Sequence, residues 1–466
     1  MFGFHRSQAP LQPLRIVIVG AGKVGTTLVE QLSNEGNDIA LIDSDQEKVE
    51  EIDNAYDVLG ITGNGASTRV LKEAGIEDAD LFIAVTESDE LNLLCCTVAT
   101  MTSSECSTIA RVRTPDYSQD AAYLRDKLGL AMIINPELEA SNEIARILSL
   151  PAALEVNSFA HGNAEQIKLK LRETCTLVGK SIMDFSREKH PRMLFTAVER
   201  NGEVIIPNGS FVFDVGDTVS FVAPKKMSAK CLKYIGVPTN HIKDCLIVGG
   251  GKASYYLANR LMSDGIEVKI IEWNRKRCEE LTDLLPHAVI INGDGTDAEV
   301  LKEAGIVSID AFIPLTGLDE ENILLTLHAH QVSDAKVVTK VNRFSFQNVI
   351  STLDLDSVVF PRLITAEAII AYARAKRASI GSSHIETLSH MFDGRAEAVE
   401  FHVESASAVT GTPLMELKLK QNLVIAFINR GREILFPSGS DTIEVGDSVM
   451  VVTTHSGFSN IQDILA

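Results

Sequence analysis

The sequence predicts an α/β protein with two doubly wound parallel-sheet domains in tandem, each followed by a small α+β domain. Two repeats support this prediction. From Arg15 and again from Lys243, a buried strand, a glycine-rich turn, a helix and a second strand ending in an acidic residue follow one another. The hexapeptide LKEAGI then occurs at residues 71–76 and 301–306, which are 230 positions apart. At 466 residues the chain is also too long for one ordinary domain.

The first motif opens with RIVIV, an apolar run typical of a buried parallel strand. The turn after it, with glycines in the spacing G-x-G-x-x-G, contains Gly20, Gly22, Lys23, Val24 and Gly25. In such a turn the first glycine permits the bend, the second admits a pyrophosphate, and the third lets helix and strand pack closely. The second strand, DIALID, ends at Asp43, which can accept hydrogen bonds from a ribose and would repel a 2′-phosphate. The motif therefore predicts NAD, ATP or ADP binding rather than NADP; the alternative is a purely structural turn.

The second copy is less complete. It contains Gly249 and Gly251, but Ser254 replaces the third glycine and adds a Cβ atom where helix and strand must be close. Glu272 stands in the place of Asp43, again 23 residues after the first glycine. Two interpretations therefore stay open: a second nucleotide site, or a degenerate copy retained for folding and assembly.

Further matching segments lie downstream in both halves. Glycine-rich turns, GNGAS at 63–67 and GDGTD at 293–297, precede the two LKEAGI copies. The strands LFIAVT and AFIPLT end at Thr86 and Thr316, where a ligand would lie in an open sheet; contact with a ligand and capping of the next helix are both open. Each threonine begins the pattern T-x-x-D-E-x-N. Arg111 and Arg113 alternate with apolar residues in IARVR, so both are expected on one face, near phosphate or in solvent.

The repeat continues into alternating apolar and polar segments between turn signals, which predict short β-strands. VERNGEVIIPNGSFVFDVGDTVSFV in the first half pairs with INRGREILFPSGSDTIEVGDSVMVV in the second. The predicted organisation is a tail, a Rossmann-like domain, a small domain, a linker, a second Rossmann-like domain and a second small domain, at residues 1–14, 15–150, 151–226, 227–242, 243–378 and 379–466.

Composition narrows the function classes. The net charge of −20 and the pI of about 5.0 argue against nucleic-acid binding and against direct attachment to an anionic membrane. No apolar run approaches the roughly 18–20 residues of a membrane helix. The seven cysteines show no C-x-x-C spacing, which favours reduced thiols over disulfides or a metal site.

The sequence favours a sensor over an enzyme. A dehydrogenase needs an acid–base group beside the hydride, and the eleven histidines form no pattern shared by the halves. No G-x-S-x-G, H-E-x-x-H or P-loop lysine motif is present. A soluble NAD-dependent oxidoreductase and a nucleotide-binding scaffold without a channel are the alternatives.

A resemblance to a known family rests on segments that follow one another in a fixed order. In the first half these are IVIVGAGKVG, LIDSD, GNGASTRVLKEAGIEDADLFIAVTESDELN and ARVRTPDY, and in the second half LIVGGGKAS, IIEWN, GDGTDAEVLKEAGI and PLTGLDEEN. The chain resembles the TrkA family, the cytosolic regulatory subunits of bacterial Trk potassium uptake systems. Members contain two RCK (KTN) units, each a Rossmann-like N-terminal subdomain and a small C-terminal subdomain. The resemblance covers the chain from Arg15 to about Phe458.

This resemblance implies a homotetrameric gating ring on the cytosolic face of the inner membrane. The ring would contact the membrane only through a TrkH-type channel subunit, and NAD(H) would compete with ATP and ADP. It implies that the glycines hold phosphate, Asp43 the ribose and Arg111 the phosphates, with Asn64 near the adenine and Thr86 at the ligand edge. The second-half counterparts are Gly249, Gly251, Glu272, Asp294 and Thr316. Glu137 matches a divalent-cation position of related rings, but Arg362 replaces it in the second half, and no metal is predicted.

Overall fold

A computed structural model describes residues 13–237, 241–343, 347–350, 353, 355–377, 383–431 and 433–466. Apart from Pro13 and Leu14, the predicted N-terminal tail lies outside the described residues. Four sheets are present in the described chain, two of six strands and two of five. Parallel six-stranded and antiparallel five-stranded sheets alternate along the sequence, so the predicted fold class is confirmed.

The first six-stranded sheet has the strand order β3-β2-β1-β4-β5-β6, with parallel pairing throughout. Its strands are β1 (Arg15–Val19), β2 (Asp38–Asp43), β3 (Leu59–Thr62), β4 (Leu81–Ala84), β5 (Ser107–Arg111) and β6 (Met132–Ile134). Its helices are α1 (Lys23–Asn34), α2 (Gln46–Ala55), α3 (Thr68–Glu73), α4 (Asp89–Thr102), α5 (Pro115–Gln119) and α6 (Ala121–Leu128). Because helices cover a parallel sheet on both faces, its central strands are runs of apolar residues without alternation. The chain direction at β1 and β4 places their carboxyl ends at the Rossmann ligand edge.

The next elements are helix α7 (Pro136–Ser149) and the first small domain. The small domain contains β7 (Glu155–Phe159), β8 (Ala164–Lys170), α8 (Ile182–Arg187), β9 (Leu194–Arg200), β10 (Glu203–Ile205), β11 (Thr218–Pro224) and α9 (Ser228–Tyr234). Helix α9 lies inside the predicted linker 227–242, but its Cys231 and Leu232 are fully buried in the core of this domain. The small domain therefore extends beyond residue 226, because these apolar side chains complete its core.

The second half repeats this order. Its parallel sheet contains β12 (Asp244–Val248), β13 (Glu267–Glu272), β14 (Val289–Asn292), β15 (Ala311–Pro314), β16 (Lys336–Lys340) and β17 (Ser357–Val359). Its helices are α10 (Lys252–Ser263), α11 (Arg275–Leu284), α12 (Ala298–Ala304), α13 (Asp319–Val332), α14 (Gln347–Ile350) and α15 (Pro361–Arg377). The second small domain contains β18 (Ser383–Met391), β19 (Ala396–Val403), β20 (Leu423–Arg430), β21 (Glu433–Leu435) and β22 (Ser448–Thr453). The strand order β14-β13-β12-β15-β16-β17 matches that of the first sheet.

The described chain divides into two compact units whose boundaries do not follow the midpoint of the sequence. One unit contains the first Rossmann-like domain and residues 368–386 where described; the other contains 135–367 and 387–466 where described. Within the second unit, α7 packs against α10, and the Ser141 hydroxyl donates to the Ala253 carbonyl at 2.8 Å. Within the first unit, the guanidinium of Arg374 pairs with the carboxylate of Glu35. Helix α7, from the first half of the sequence, thus belongs to the unit that holds the second Rossmann-like domain. The last turns of α15, from the second half, belong to the unit that holds the first.

The two small domains share an apolar core within the second unit. Phe159 and Val222 of the first domain and Phe392 and Phe427 of the second belong to one buried cluster. The Glu400 carboxylate accepts a hydrogen bond from the backbone N–H of Ala160 at 2.9 Å, which anchors one sheet to the other. Because both small sheets bury apolar side chains in this cluster, the pair forms a single packed body.

Helix α7 carries a buried carboxyl group. Glu143 is 8% exposed, and burial raises its pKa to about 8; the nearby carboxylates of Glu155 and Glu367 raise it further, whereas Arg146 lowers it. A carboxyl whose pKa is higher in the folded than in the unfolded state binds more protons when folded. The stability it contributes is therefore lost as the pH rises from its ordinary pKa of 4.5 towards about 8.

We expect Glu143→Gln to remove this loss. The variant should be more stable than the wild type above about pH 8, by roughly 2–5 kcal/mol, and nearly equal to it near pH 4.5. Urea unfolding of the full chain across this pH range measures the difference. The control is Glu51→Gln, which changes an exposed glutamate on helix α2. An unchanged pH profile in Glu143→Gln would contradict the assignment.

Candidate functional site

The first glycine loop, residues 20–25, is fixed by close backbone contacts on one side and open on the other. Gly20 has a φ of +112°, and a Cβ atom there would lie 3.0 Å from the backbone N of Thr86. A Cβ atom on Gly25 would lie 1.8 Å from the Gly20 carbonyl oxygen. By contrast, Gly22 has a φ of −76°, and a Cβ atom there would meet no other atom within 4 Å. The loop thus leaves open space at the second glycine, where a pyrophosphate would approach.

Helix α1 begins directly at this open space. Its N-cap residue is Gly22, and no side chain caps the helix. The N–H groups of the first turn, at Lys23, Val24 and Gly25, have no acceptor within the helix and carry its positive dipole end. The arrangement suits a phosphate group, which can accept several of these hydrogen bonds.

Asp43 ties the end of β2 to the loop. One carboxylate oxygen accepts the N–H of Ala21 at 2.6 Å, and the other accepts the N–H of Asp45 at 2.9 Å. Asp43 remains half-exposed, so its outer lone pairs can accept hydrogen bonds from a ribose. The structure therefore brings together the glycines and the acid that the sequence predicts, at one edge of the sheet.

The T-x-x-D-E-x-N pattern is a structural brace. The fully buried side chain of Asn92 accepts hydrogen bonds from the N–H and hydroxyl of Thr86 at 2.7 and 2.8 Å. Its amide donates to the carbonyls of Thr86 and Arg111 at 3.1 and 2.9 Å. Ser88 is the N-cap of α4 and accepts the N–H of Leu91. The N-cap alternative for Thr86 is therefore wrong, because its hydroxyl is directed to Asn92.

The second half repeats the brace. Asn322 accepts hydrogen bonds from the N–H and hydroxyl of Thr316 at 2.9 and 2.8 Å and donates to the Lys340 carbonyl at 3.0 Å. Leu318 is the N-cap residue of α13, so Thr316 does not cap this helix either. The position of each threonine at the end of a strand does not by itself indicate that its hydroxyl bonds to an asparagine. The asparagine six residues after each threonine is the sequence signal for this contact.

Arg111, the last residue of β5, and Arg113, two residues later, lie beside the same edge of the sheet. Arg111 is 8% exposed, and its guanidinium donates to the Thr86 carbonyl. Arg113 donates to the Glu87 carbonyl and lies 3.7 Å from the carboxylate of Asp89. Both guanidinium groups thus contact the β4–α4 connection, which places their charge near the ligand edge while holding the loop.

Asn64 and Asp294 occupy equivalent exposed turns. The Asn64 side chain accepts the N–H of Ala66 at 2.9 Å, and Asp294 accepts the N–H and hydroxyl of Thr296 at 2.9 and 2.7 Å. The hydrogen bond from the Thr296 hydroxyl, with that from its N–H, lowers the pKa of Asp294. A Cβ atom on the following Gly65 would lie 2.2 Å from the Val19 side chain, so this turn packs against the end of β1.

The second glycine loop differs at its third position. Gly249 keeps a positive φ of +100°, but Ser254 is fully buried and its hydroxyl donates to the Gly249 carbonyl. Since a Cβ atom at the equivalent Gly25 would overlap a carbonyl oxygen, the packing of helix and loop around Ser254 must differ locally from that around Gly25. Glu272 nevertheless accepts the N–H groups of Gly250 and Asn274 at 2.7 and 2.8 Å, as Asp43 does in the first half.

A cavity of about 380 Å³ opens beside the second loop. Its lining includes residues that follow Glu272 and that the motif reasoning did not select, namely Trp273, Lys276 and Arg277. Arg277 donates to the Gly250 carbonyl at 2.8 Å, and Trp273 is 77% exposed. The sequence signal for these lining residues is the basic run Arg275, Lys276 and Arg277, which begins three residues after Glu272.

The chain matches the TrkA-N domain at residues 16–136 and 245–361, and the TrkA-C domain at 167–236 and 398–466. The chain belongs to the TrkA family. It is 31% identical to the Trk system potassium uptake protein TrkA homolog 1 of Methanosarcina mazei, over 96% of this chain and 99% of that protein. It is also 31% identical to the Trk system potassium uptake protein TrkA of Haemophilus influenzae, over 94% of this chain and 95% of that protein.

Solved structures confirm the RCK fold. The GsuK channel bound to NAD has a TM-score of 0.63 and 18% identity, covering 96% of this chain and 77% of that one. The GsuK RCK domain has a TM-score of 0.63 and 17% identity, covering 95% of this chain and 93% of that one. At this identity the likeness establishes the fold only.

Two further observations concern the described residues. None of their helices combines the length and apolarity needed to cross a bilayer. Among the same residues, no group of three histidine, cysteine, aspartate or glutamate side chains is arranged to hold a metal ion, and this includes the surroundings of Glu137.

The glycine loop gives a matched pair of substitutions. We expect Gly22→Ala to fold normally, because its φ is negative and its Cβ meets no atom, yet to weaken NADH binding at least tenfold by filling the phosphate approach. Gly25→Ala should lower the thermal stability as well, because its Cβ would overlap the Gly20 carbonyl. Calorimetric titration and thermal unfolding separate the two effects. Wild-type affinity in Gly22→Ala would contradict the site.

Proposed function

We propose that this protein is the nucleotide-sensing regulatory subunit of a potassium uptake channel and that it has no enzymatic activity. It binds NAD(H) and ATP or ADP at its first glycine loop and controls a TrkH-type membrane subunit from the cytosolic side. The observation that carries the proposal is the first loop, in which an open glycine, an uncapped helix and Asp43 converge. Family membership supports the connection to potassium uptake.

The ligand class follows from the loop and the acid. The uncapped end of α1 favours a phosphate, and Asp43 favours an unmodified ribose diol over a 2′-phosphate. NAD, ATP and ADP share an adenosine ribose and a 5′ phosphate chain, so they would compete for this site. The similar GsuK channel has been solved bound to NAD and to ADP, which supports these ligands.

The brace at Asn92 supplies a route from ligand to protein conformation. The same side chain holds the Thr86 loop, at the ligand edge, and the Arg111 carbonyl of β5. A ligand that contacts Thr86 or Arg111 therefore acts on α4, the helix that carries Asn92. A shift in population between two ring shapes needs a coupling of only about 1–3 kcal/mol, which is roughly 5–150-fold in affinity.

Assembly into a homotetramer is part of the proposal. Helix α4 exposes Leu94 and Met101 by 52% and 83%, and α13 exposes Leu324 and Leu327 by 67% and 38%. Leu94 and Leu324 are equivalent positions, 230 residues apart. Apolar side chains at matching places on helices of both Rossmann-like domains favour contacts between chains.

We expect Asp43→Ala to weaken NADH and ADP binding by roughly tenfold or more, because the ribose loses a charged acceptor. Calorimetric titration of the full chain with NADH, ATP and ADP measures this, together with mutual competition. The control is Asp38→Ala at the exposed start of the same strand. Unchanged NADH affinity in Asp43→Ala would contradict the proposed ribose contact, and steady NADH oxidation with small carbonyl compounds would instead support the oxidoreductase alternative.

A second experiment tests the partner and the assembly. We expect Leu94→Glu to shift the chain from tetramer to smaller species in light scattering and to abolish restoration of potassium uptake in a strain that lacks its own gene. Charged side chains destabilise an apolar contact because their desolvation is not compensated. Leu59→Glu, at an exposed position of the edge strand β3, is the control. A tetramer retained in Leu94→Glu would exclude α4 from the interface.

A further inference from the structure

The two halves present opposite charges at the place where an adenosine ribose would lie. In the first half, residues 43–48 contain Asp43, Asp45 and Glu47 against Lys48 alone. In the second half, the equivalent residues 272–277 contain only Glu272 as an acid, against the bases Arg275, Lys276 and Arg277. Over these six residues the net charge changes from −2 to +2. Glu280 also lines the cavity of the second half and pairs with Arg277 at 3.0 Å, which leaves Lys276 as the base of the lining without a carboxylate of the described residues at that distance.

The helices at these positions differ in the same sense. Helix α2 has the charged N-cap Asp45 and an acid, Glu47, in its first turn, and both offset its dipole. Helix α11 has the neutral N-cap Asn274 and no acid in its first turn. The Asn274 side chain caps α11 by accepting the N–H of Arg277, but it adds no negative charge to the positive end of the helix. Lys276 and Arg277 add positive charge beside this end, although Arg277 also pairs with Glu280 at 3.0 Å.

Glu272, the acid of the second site, is more buried than Asp43, its first-half equivalent. Glu272 is 8% exposed, and its two oxygens accept the N–H groups of Gly250 and Asn274. Asp43 makes equivalent bonds but stays half-exposed. Because both acids accept equivalent backbone hydrogen bonds, the second site differs chiefly in its nearby bases, which attract a phosphate.

We propose that the second glycine-loop site binds a dinucleotide with a phosphate on its adenosine ribose, of the NADP(H) type, while the first site excludes it. The cavity of about 380 Å³ lined by Gly251, Trp273, Lys276 and Arg277 receives the adenosine end. Trp273 provides an exposed ring on which adenine stacks. Lys276 and the guanidinium of Arg277 hold the ribose phosphate. This inference rests on the nucleotide binding proposed for the first glycine loop.

Trp273 is the only tryptophan of the chain, so its fluorescence reports on the second site alone. The full chain is titrated with NADP⁺ and NAD⁺, and with adenosine 2′,5′-bisphosphate and ADP, which carry the same number of phosphates in different places. We expect quenching by NADP⁺ and by the 2′,5′-bisphosphate at concentrations at least tenfold lower than by NAD⁺ and ADP. Equal or better quenching by NAD⁺ and ADP would overturn the inference.

Exchanging Lys276, one of the two bases assigned to the ribose phosphate, for its first-half equivalent tests the cause. The variant Lys276→Glu should lose most of the preference for the ribose phosphate, since it replaces a base of the cavity by an acid. The control Lys302→Glu makes the same charge reversal at an exposed position of α12 and should keep the preference. A Lys276→Glu variant with the full preference would overturn the assignment of this residue.

Parallel calorimetry separates this inference from the proposed function. Two binding events per chain, one of which follows NADP⁺ and changes Trp273 emission, support both. Binding of NAD⁺ that is lost in Asp43→Ala, with no response of Trp273 to any nucleotide, overturns the inference about the second site and leaves the proposed function standing. Absence of binding by all four compounds overturns both.

Discussion

The ligand edge of the first Rossmann-like domain depends on one close approach between two glycines. The carbonyl of Gly20 lies where a side chain on Gly25 would begin, so helix α1 can start immediately beside the turn. That position brings the uncapped end of α1 next to the carboxyl ends of β1 and β4. Asp43 and Asn92 then fix the loops on either side. The second half, in which Ser254 replaces the third glycine, keeps the equivalents of these contacts: Glu272 accepts the N–H of Gly250 at 2.7 Å, and Asn322 accepts that of Thr316 at 2.9 Å.

Much of the architecture follows from local patterns in the sequence. Buried parallel strands, glycine turns and acids at the ends of strands repeat with a near-constant spacing, and each has few structural alternatives. The pairing of Gly20, Gly25 and Asp43 was predictable for this reason. The two glycines are predictable because only a residue without a side chain fits the tight turn and the close helix contact. The acid is predictable because it can accept hydrogen bonds at the end of the strand.

Other features depended on the tertiary structure. Asn92 reaches from a helix to the carbonyl of Arg111, a contact across two elements that no local pattern encodes. The burial of α9 in the small domain was missed because its polar and basic exterior resembles a linker, whereas Cys231 and Leu232 face the core. Likewise, the assignment of Glu143 to a buried site needs the packing of α7, since its sequence neighbours are ordinary for an amphipathic helix.

The division of the chain has a consequence for its separability. Helix α7 belongs to the unit that holds the second Rossmann-like domain, and residues 368–377 belong to the unit that holds the first. A cut between the two sequence halves would therefore remove α10 from the apolar face of α7 and Arg374 from Glu35. Neither half of the sequence contains all the elements of the unit to which its Rossmann-like domain belongs, so the repeat in sequence is not a repeat of separable structural modules.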